Sequence, residues 1–288
     1  MKPDLVALLG DEQYQVGTLS DFERSFDKSY GAFKFLQRPT PGNHEFYPYT
    51  KNGDNEAGQN GTGYFDYYNG MTESGATRPD GQAGASGEGW YSYNLGSWHI
   101  ISLNIECNSP AFGNSCDPTT GVLGQETQWL AQDLSSDHSA CTIAYWHQPT
   151  FSSTDSPSAE GNAADSWWKL LYSHGADLIL NGHEHVYSRM VPQDPNGVPD
   201  PKKGITQFTV GTGGESLDTL TRNADGSFTN PNIVTAQDQA YGAMKLTFGP
   251  TGYSWDYKPV LAAPGAPATA LDYHDSGSGT CHGPASQS

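Results

Sequence analysis

Apolar residues in this chain come in short runs that stop at polar or glycine-rich punctuation. The first, Asp4-Leu5-Val6-Ala7-Leu8-Leu9, reads as a buried strand that ends at Gly10-Asp11. Residues 17–36 carry Leu19, Phe22, Phe26, Tyr30 and Phe33 at spacings of three and four, the period of a helix with one apolar face. Pro39-Thr40-Pro41-Gly42 breaks the chain and leads into Asn43-His44-Glu45. Residues 48–89 are rich in Gly, Asn, Asp and Tyr and predict a long, mostly irregular excursion, a type of segment usually functional or disordered.

Residues 90–103 read as a hairpin turning near Gly96. Residues 125–134 are helical in pattern, with Trp129, Leu130 and Leu134 on one face, and residues 142–146 form a strand ending at His147. A helix over 166–173 is followed by the strand Leu178-Ile179-Leu180, which ends at Asn181-Gly182-His183-Glu184-His185. Further strands are expected over 205–210, 243–248 and 252–257. From Ala262 the chain is rich in Ala, Pro, Gly and Ser and reads as a surface tail. No internal repeat is visible. Three times a strand ends and metal-type polar residues follow at once, and open α/β sheets place ligands beyond the carboxyl ends of their strands. The pattern suggests one site built from several loops on one edge.

Composition narrows the class. With 288 residues, 34 of them Gly and only 14 Lys or Arg, and a mean hydropathy of −0.61, the chain suits an α/β or all-β protein with long loops better than a helical bundle. The net charge of −18 disfavours nucleic acid and anionic membranes as partners, and it would repel a phosphate ester unless a bound cation reversed the local potential. Taken alone, the acidity fits plain solubility. The cysteines, Cys107, Cys116, Cys141 and Cys281, contain no C-x-x-C pair, so a zinc ribbon or thioredoxin motif is not expected. A Cys107–Cys116 disulfide across a Pro/Gly/Asn-rich loop and a long-range Cys141–Cys281 pair are the plausible bridges; four free thiols in a cytosolic protein are the alternative. Few lysines, many small polar residues and an even cysteine count favour secretion, although no signal peptide is visible and the run Leu5 to Leu9 is too short to span a membrane.

The residues suited to chemistry are Asp11 and Tyr14 in Gly10-Asp11-Glu12-Gln13-Tyr14, Asn43 and His44 in Gly42-Asn43-His44-Glu45, His147 in Trp146-His147-Gln148-Pro149, and His183 and His185 in Gly182-His183-Glu184-His185. A carboxylate can bridge two cations, an amide oxygen suits a hard or borderline one, imidazoles suit iron, zinc or manganese, and a phenolate suits ferric iron. Each piece alone is weak, since a lone His after a strand is more often a loop or core histidine. The ordered set in one chain is a strong signal.

That set resembles the signature of the calcineurin-like metallophosphoesterases, and Tyr14 three residues after Asp11 is similar to the purple acid phosphatase variant. The resemblance runs from residue 3 to about 258. It implies a four-layer αββα sandwich of two mixed sheets over residues 1–260, with 261–288 as the tail. It also implies two metal ions, iron with zinc, manganese or a second iron. By that likeness Asp11 would bridge the metals and share in catalysis. Tyr14 and His185 would bind the first, ferric-type ion; Asn43, His147 and His183 would bind the second. His44 would face the ester and stabilise the transition state or protonate the leaving oxygen. The activity implied is hydrolysis of small phosphate monoesters by hydroxide attack at a two-metal centre. A phosphodiesterase or nucleotidase, or a metal-binding protein of impaired catalysis, are the alternatives. The family pattern opens with an Asp-x-Gly or Asp-x-His motif after a first strand. Here only Asp4 precedes Asp11, at the wrong end of its strand, so the first strand and first ligand are expected to be missing. Asp272-Tyr273-His274 has the right letters but reads as part of the tail.

Overall fold

The computed structural model describes residues 2–46, 49–51, 54–56, 60–154, 161 and 163–283. The chain divides into two compact units, Met1–Ser92 with Ile101–Trp129 and Tyr145–Gln148, and Tyr93–Ile100 with Leu130–Ala144 and Pro149–Ser288.

In the first unit, strand β1 (Val6–Leu9) runs parallel to β2 (Gln37–Thr40), with Leu8 opposite Pro39. Parallel neighbours need a crossover. The predicted helix supplies it, as a succession of short pieces rather than one rod: α1 (Leu19–Asp21), a π turn over Phe22–Phe26, α2 (Asp27–Tyr30) and a 3-10 stretch over Gly31–Leu36. Thr18 caps the start, its hydroxyl oxygen accepting from the Asp21 N–H at 3.2 Å. Phe22 and Phe26 are buried, and Phe22 stacks on Tyr67 with ring centres 4.9 Å apart. The one-turn helix α3 (Asn43–Phe46) follows β2, and β3 (Tyr49–Lys51) pairs antiparallel with β4 (Asp54–Glu56).

The excursion expected to be mostly irregular holds a helix, α4 (Thr62–Asn69), which buries Tyr64, Phe65, Tyr67 and Tyr68. It was hidden because it is buried almost all round, with Gly63 and Asn69 inside as well as the aromatic rings, so no apolar stripe marks the 3.6 period. Gly and aromatic residues are also middling or poor helix formers. Packing makes this helix, not propensity.

A seven-stranded mixed sheet has the order β11-β9-β10-β8-β7-β6-β5, and its strands β8 to β11 lie wholly in the second unit. The expected hairpin is present as β5 (Tyr91–Leu95) and β6 (Trp98–Ser102), with Gly96 in the turn at φ 63°. Strands β7 (Cys141–Trp146) and β8 (Leu178–Asn181) are buried along their whole length, as a central strand covered on both faces must be. Strand β10 (Thr206–Val210) is parallel to β8. Strand β9 (Tyr187–Met190) is antiparallel to β10 and to β11 (Ile233–Gln237). Helices α5 (Gly121–Ser136) and α6 (Asp165–Ser173) correspond to the two expected helices, and α6 buries Trp167, Trp168 and Leu171.

A second, antiparallel sheet of β12 (Ala240–Gly249), β13 (Gly252–Ala262) and β14 (Asp275–Thr280) packs on the larger one. Ring contacts join them: Trp98 with Phe248 at 4.3 Å, Tyr187 with Tyr257 at 3.8 Å, and Phe208 with Trp255 at 5.5 Å. The fold is mixed α/β with several sheets.

Strand β14 corrects the expectation of a surface tail. Its glycines look like tail composition, but they make room for rings: a Cβ on Gly277 would sit 2.4 Å from the Trp255 ring, and one on Gly279 2.5 Å from that of Tyr253. Asp275, at the start of β14, is buried. It accepts from Tyr187 Oη at 2.6 Å, Trp255 Nε1 at 3.1 Å, and Arg189 Nε and Nη2 at 2.8 and 2.9 Å. Its neighbours are also engaged, His274 Nε2 lying 2.8 Å from Asp256 Oδ1 and Tyr273 Oη 2.7 Å from Thr235 Oγ1. Beyond the strand, the Cys141–Cys281 disulfide ties the segment to β7, and the His282 N–H donates to Asp177 Oδ1 at 2.7 Å. The Cys107–Cys116 disulfide lies in the first unit, and no cysteine is free.

Thiol titration of the unfolded, unreduced protein should find no reactive cysteine. Cys141–Cys281 spans 140 residues, so on the chain-entropy model its removal by paired serine substitution costs about 5 kcal/mol; unchanged urea stability would contradict this. Replacing Asp275 by Asn breaks a buried pair and should cost about 3 kcal/mol, the low end for such a loss because Arg189 keeps some solvent. Burial alone would raise the Asp275 pKa, but Arg189, Tyr187 and Trp255 hold it below the usual carboxylate range. Its contribution is therefore full above the unfolded value of about 4 and is lost as pH falls through the folded one. The gap in Tm between parent and variant should close in acid; a gap that widens there would show the sign to be wrong.

Candidate metal centre

Strand β1 delivers Asp11 through two consecutive residues in the left-handed region, Gly10 at φ 85° and Asp11 at φ 54°. Glycine at position 10 is required twice over, by that φ and by contact: a Cβ there would lie 2.4 Å from His147 Nδ1. The Asp11 carboxylate collects four neighbours. Oδ1 accepts the His44 N–H at 2.9 Å, Oδ2 accepts the Tyr14 hydroxyl at 3.1 Å, and Oδ2 lies 3.1 Å from His147 Nε2 and 3.9 Å from His44 Nε2. Burial pushes its pKa upward, but the charge and hydrogen bond of His147, with help from His44, hold it well below the usual carboxylate range.

His147 stands at the end of β7. Its Nδ1 donates to the Leu9 carbonyl at 2.6 Å, which fixes the tautomer and turns Nε2 toward Asp11 Oδ2 and, at 3.0 Å, Asn43 Oδ1. Nε2 of a neutral ring then faces two acceptors. A second ring proton or a cation among the three atoms would satisfy that arrangement. Burial disfavours the charged ring, yet Asp11 outweighs it and His147 is shifted up. One carboxylate, one amide oxygen and one imidazole form a donor set that suits a borderline divalent ion. His44 sits at the rim, partly exposed, with Nδ1 donating to the Gln15 carbonyl at 2.7 Å and its ring 4.4 Å from that of Tyr14.

In the second unit, β8 ends at Asn181 and the turn Gly182-His183-Glu184-His185 follows, with His183 in the left-handed region at φ 62°. A non-glycine residue held there marks a locally over-determined backbone, common at functional sites. His185 is gripped from the 216–218 segment. Its Nδ1 donates to the Ser216 carbonyl at 2.8 Å, its N–H to Asp218 Oδ2 at 2.8 Å, and its carbonyl accepts the Asp218 N–H at 3.2 Å. With Nδ1 so bonded, Nε2 is the ring nitrogen suited to hold a metal. The first unit thus gathers Asp11, Tyr14, Asn43, His44 and His147; the second carries His183 and His185 on one turn. A separate grouping of Cys141, Cys281 and Asp177 is no metal site, because its sulfurs are joined in the disulfide.

The family model for calcineurin-like phosphoesterases matches residues 1–187. The chain belongs to the calcineurin-like phosphoesterase family. Among curated relatives, purple acid phosphatase 15 of Arabidopsis thaliana is 28% identical over 179 residues, covering 60% of this chain and 31% of that protein. An acid phosphatase of Aspergillus ficuum is 28% identical over 214 residues, covering 58% of this chain and 34% of that one. The solved structure of purple acid phosphatase PPD1 from yellow lupin (Lupinus luteus) seeds superposes with a TM-score of 0.65 at 17% identity, over 96% of this chain and 46% of that chain. This phosphoesterase therefore spans a third to a half of the length of these relatives, and the structural likeness speaks for the fold alone.

Motif reading missed the residues that hold the phosphoesterase loops. Glu45, fully buried, accepts from Gly42 N at 2.8 Å and Asp11 N at 2.9 Å on Oε2, and from Gln13 N at 3.2 Å on Oε1. Burial and then the charge of Asp11 push its pKa up, while these N–H groups pull it down. Glu45 was visible in the Asn43-His44-Glu45 string but offered no ligand geometry, so nothing in the sequence singled it out. Its removal tests its role. Glu45→Gln leaves one N–H facing an amide NH2 and should cost about 1–3 kcal/mol, with Glu45→Ala costing more and both losing bound metal. An alanine variant with the parent's urea midpoint and metal content would refute the clamp.

Proposed function

We propose that this protein hydrolyses small phosphate monoesters in the manner of an acid phosphatase, using a dinuclear metal centre. The observation that carries the reading is the set of donor atoms formed by Asp11, Asn43 and His147, with the Tyr14 hydroxyl and the His44 ring beside it. The family and the acid phosphatase relatives support it. In this reading Asp11, Tyr14 and His185 would hold one ion, and Asp11, Asn43, His147 and His183 would hold the other. Iron paired with zinc, manganese or a second iron matches the phenolate, imidazole and carboxylate donors. Bound there, the ions supply positive charge against the phosphoryl group and lower the pKa of water to near neutrality.

The chain's own groups do the rest. Asp11 stays anionic because His147 and the His44 N–H oppose the effect of burial. His147 is kept in register by the Leu9 carbonyl. With Nδ1 turned to Gln15, His44 presents Nε2 at the rim, where it can donate a proton to a leaving alkoxide. The paired cysteines favour an oxidising, extracellular setting. Among the described residues, no helix is long and apolar enough to cross a membrane.

The test is turnover of para-nitrophenyl phosphate and its bis-ester by protein loaded with iron and zinc. Monoester turnover should dominate, and faster diester turnover would point instead to a phosphodiesterase. His44→Ala should lower kcat by roughly 10²–10⁴ with metal content unchanged. Tyr14→Phe should abolish the visible charge-transfer band of the iron-loaded protein; colour that survives would remove Tyr14 from the ligand set.

A further inference from the structure

Glu184 lies between two proposed ligands, and its side chain is committed elsewhere. It is buried, with 2% of its surface exposed. Oε2 accepts the Ser153 N–H at 2.8 Å, and Oε1 accepts the Ser152 hydroxyl. Ser152 Oγ in turn accepts the Thr154 N–H at 3.1 Å, and the Ser152 carbonyl accepts Asn230 Nδ2 at 3.0 Å. One carboxylate therefore organises the segment 152–154, which belongs to the loop after β7.

The main chain of Glu184 is held as tightly. Its N–H donates to the Gly182 carbonyl at 2.7 Å and its carbonyl accepts the Val186 N–H at 2.7 Å, two tight turns back to back. Gly211 packs against the same carbonyl so closely that a Cβ there would lie 2.0 Å from the oxygen. Fixing Glu184 at both main chain and side chain fixes the two backbone positions on either side of it. His183, at φ 62°, sits in the left-handed region, which residues with a side chain adopt at some cost, so the contacts around Glu184 help to hold it there.

We infer that Glu184 is a positioning residue, which anchors the histidine turn to the 152–154 segment and sets the directions in which His183 and His185 leave the backbone. The inference rests on the proposed role of those histidines as metal ligands. The Glu184 carboxylate is committed to Ser152 and Ser153, so it acts from behind the histidines. Residues that orient ligands from behind typically contribute 10–100-fold to metal affinity. The contribution of Glu184 should therefore appear in binding, not only in folding.

Zn²⁺ titration of the metal-free, disulfide-intact protein tests this, alongside urea unfolding in the absence of metal. Glu184→Ala should raise the Kd for Zn²⁺ by 10–100-fold. Glu184→Gln should restore most of it: its Oε1 accepts from Ser153 N while its amide donates to Ser152 Oγ, whose proton turns to the Thr154 carbonyl 2.7 Å away. Should the alanine variant fail to fold, Ser152→Ala removes only the hydroxyl bond and should raise Kd several-fold with little change in the metal-free urea midpoint. If Glu184→Ala or Ser152→Ala shifts the urea midpoint and leaves Kd at the parent value, Glu184 is merely structural and the inference falls. His183→Ala is the control. If it too leaves Kd unchanged, the ligand assignment fails, and the inference falls with it for that separate reason.

Discussion

The candidate site depends first on a buried carboxylate that binds no ligand. Glu45 draws three backbone N–H groups, from Asp11, Gln13 and Gly42, onto one side chain. Those groups belong to the loops that leave β1 and β2, two parallel strands that pair directly over only a few residues. Beyond the strand ends the ladder can no longer satisfy the main chain, and each buried N–H without an acceptor would be costly. Glu45 replaces the ladder there. It also sets the geometry of the site, because Asp11 and Asn43 leave the backbone within a residue of the groups it holds.

The second unit solves the same problem in the same way. Its turn of two histidines contains Glu184, whose carboxylate binds a backbone N–H of a loop distant in sequence, as Glu45 binds those of Asp11 and Gln13. In both cases the ligand-type residues sit beside a glutamate that faces the main chain. Among the ligand-type imidazoles, His44, His147 and His185 each donate through Nδ1 to a carbonyl, of Gln15, Leu9 and Ser216 respectively. The arrangement presents the Nε2 edge of all three rings, so the tautomer of the neutral ring and its orientation are set by backbone geometry.

Much of this was legible in the sequence because motif residues are local. Asp11, His147 and His183 each follow a short apolar strand, and a strand's end is readable from its hydrophobic run and its glycine. The family resemblance came from the same residues. What stayed hidden was non-local or lacked contrast. Helix α4 is buried on nearly every side, so no alternation marks it. Strand β14 is mostly Ser and Gly, since Trp255 and Tyr253 need the space, and only Asp275 betrays its inward side. Strand β9 runs straight on from the histidine motif, whose polar residues masked its start. The partners of Glu45 and Glu184 are set by the fold, and no spacing rule gives them.

The charge of the chain gives these local devices their significance. A protein of net charge −18 has no long-range attraction for a phosphate ester, so the attraction must be made locally. Three acidic side chains, Asp11, Glu12 and Glu45, crowd the first loop, and full ionisation of all three would be prohibitive in a buried setting. The structure separates their roles. Burial and mutual repulsion push Glu12 and Glu45 up, while His147 holds Asp11 down, so negative charge is favoured most on Asp11. A cation taken up beside it neutralises that charge, relieves the repulsion felt by its neighbours and gives Nε2 of His147 a partner other than a proton. On the proposed function, the acidity that repels an ester from a distance is what favours the cations that would bind it at close range.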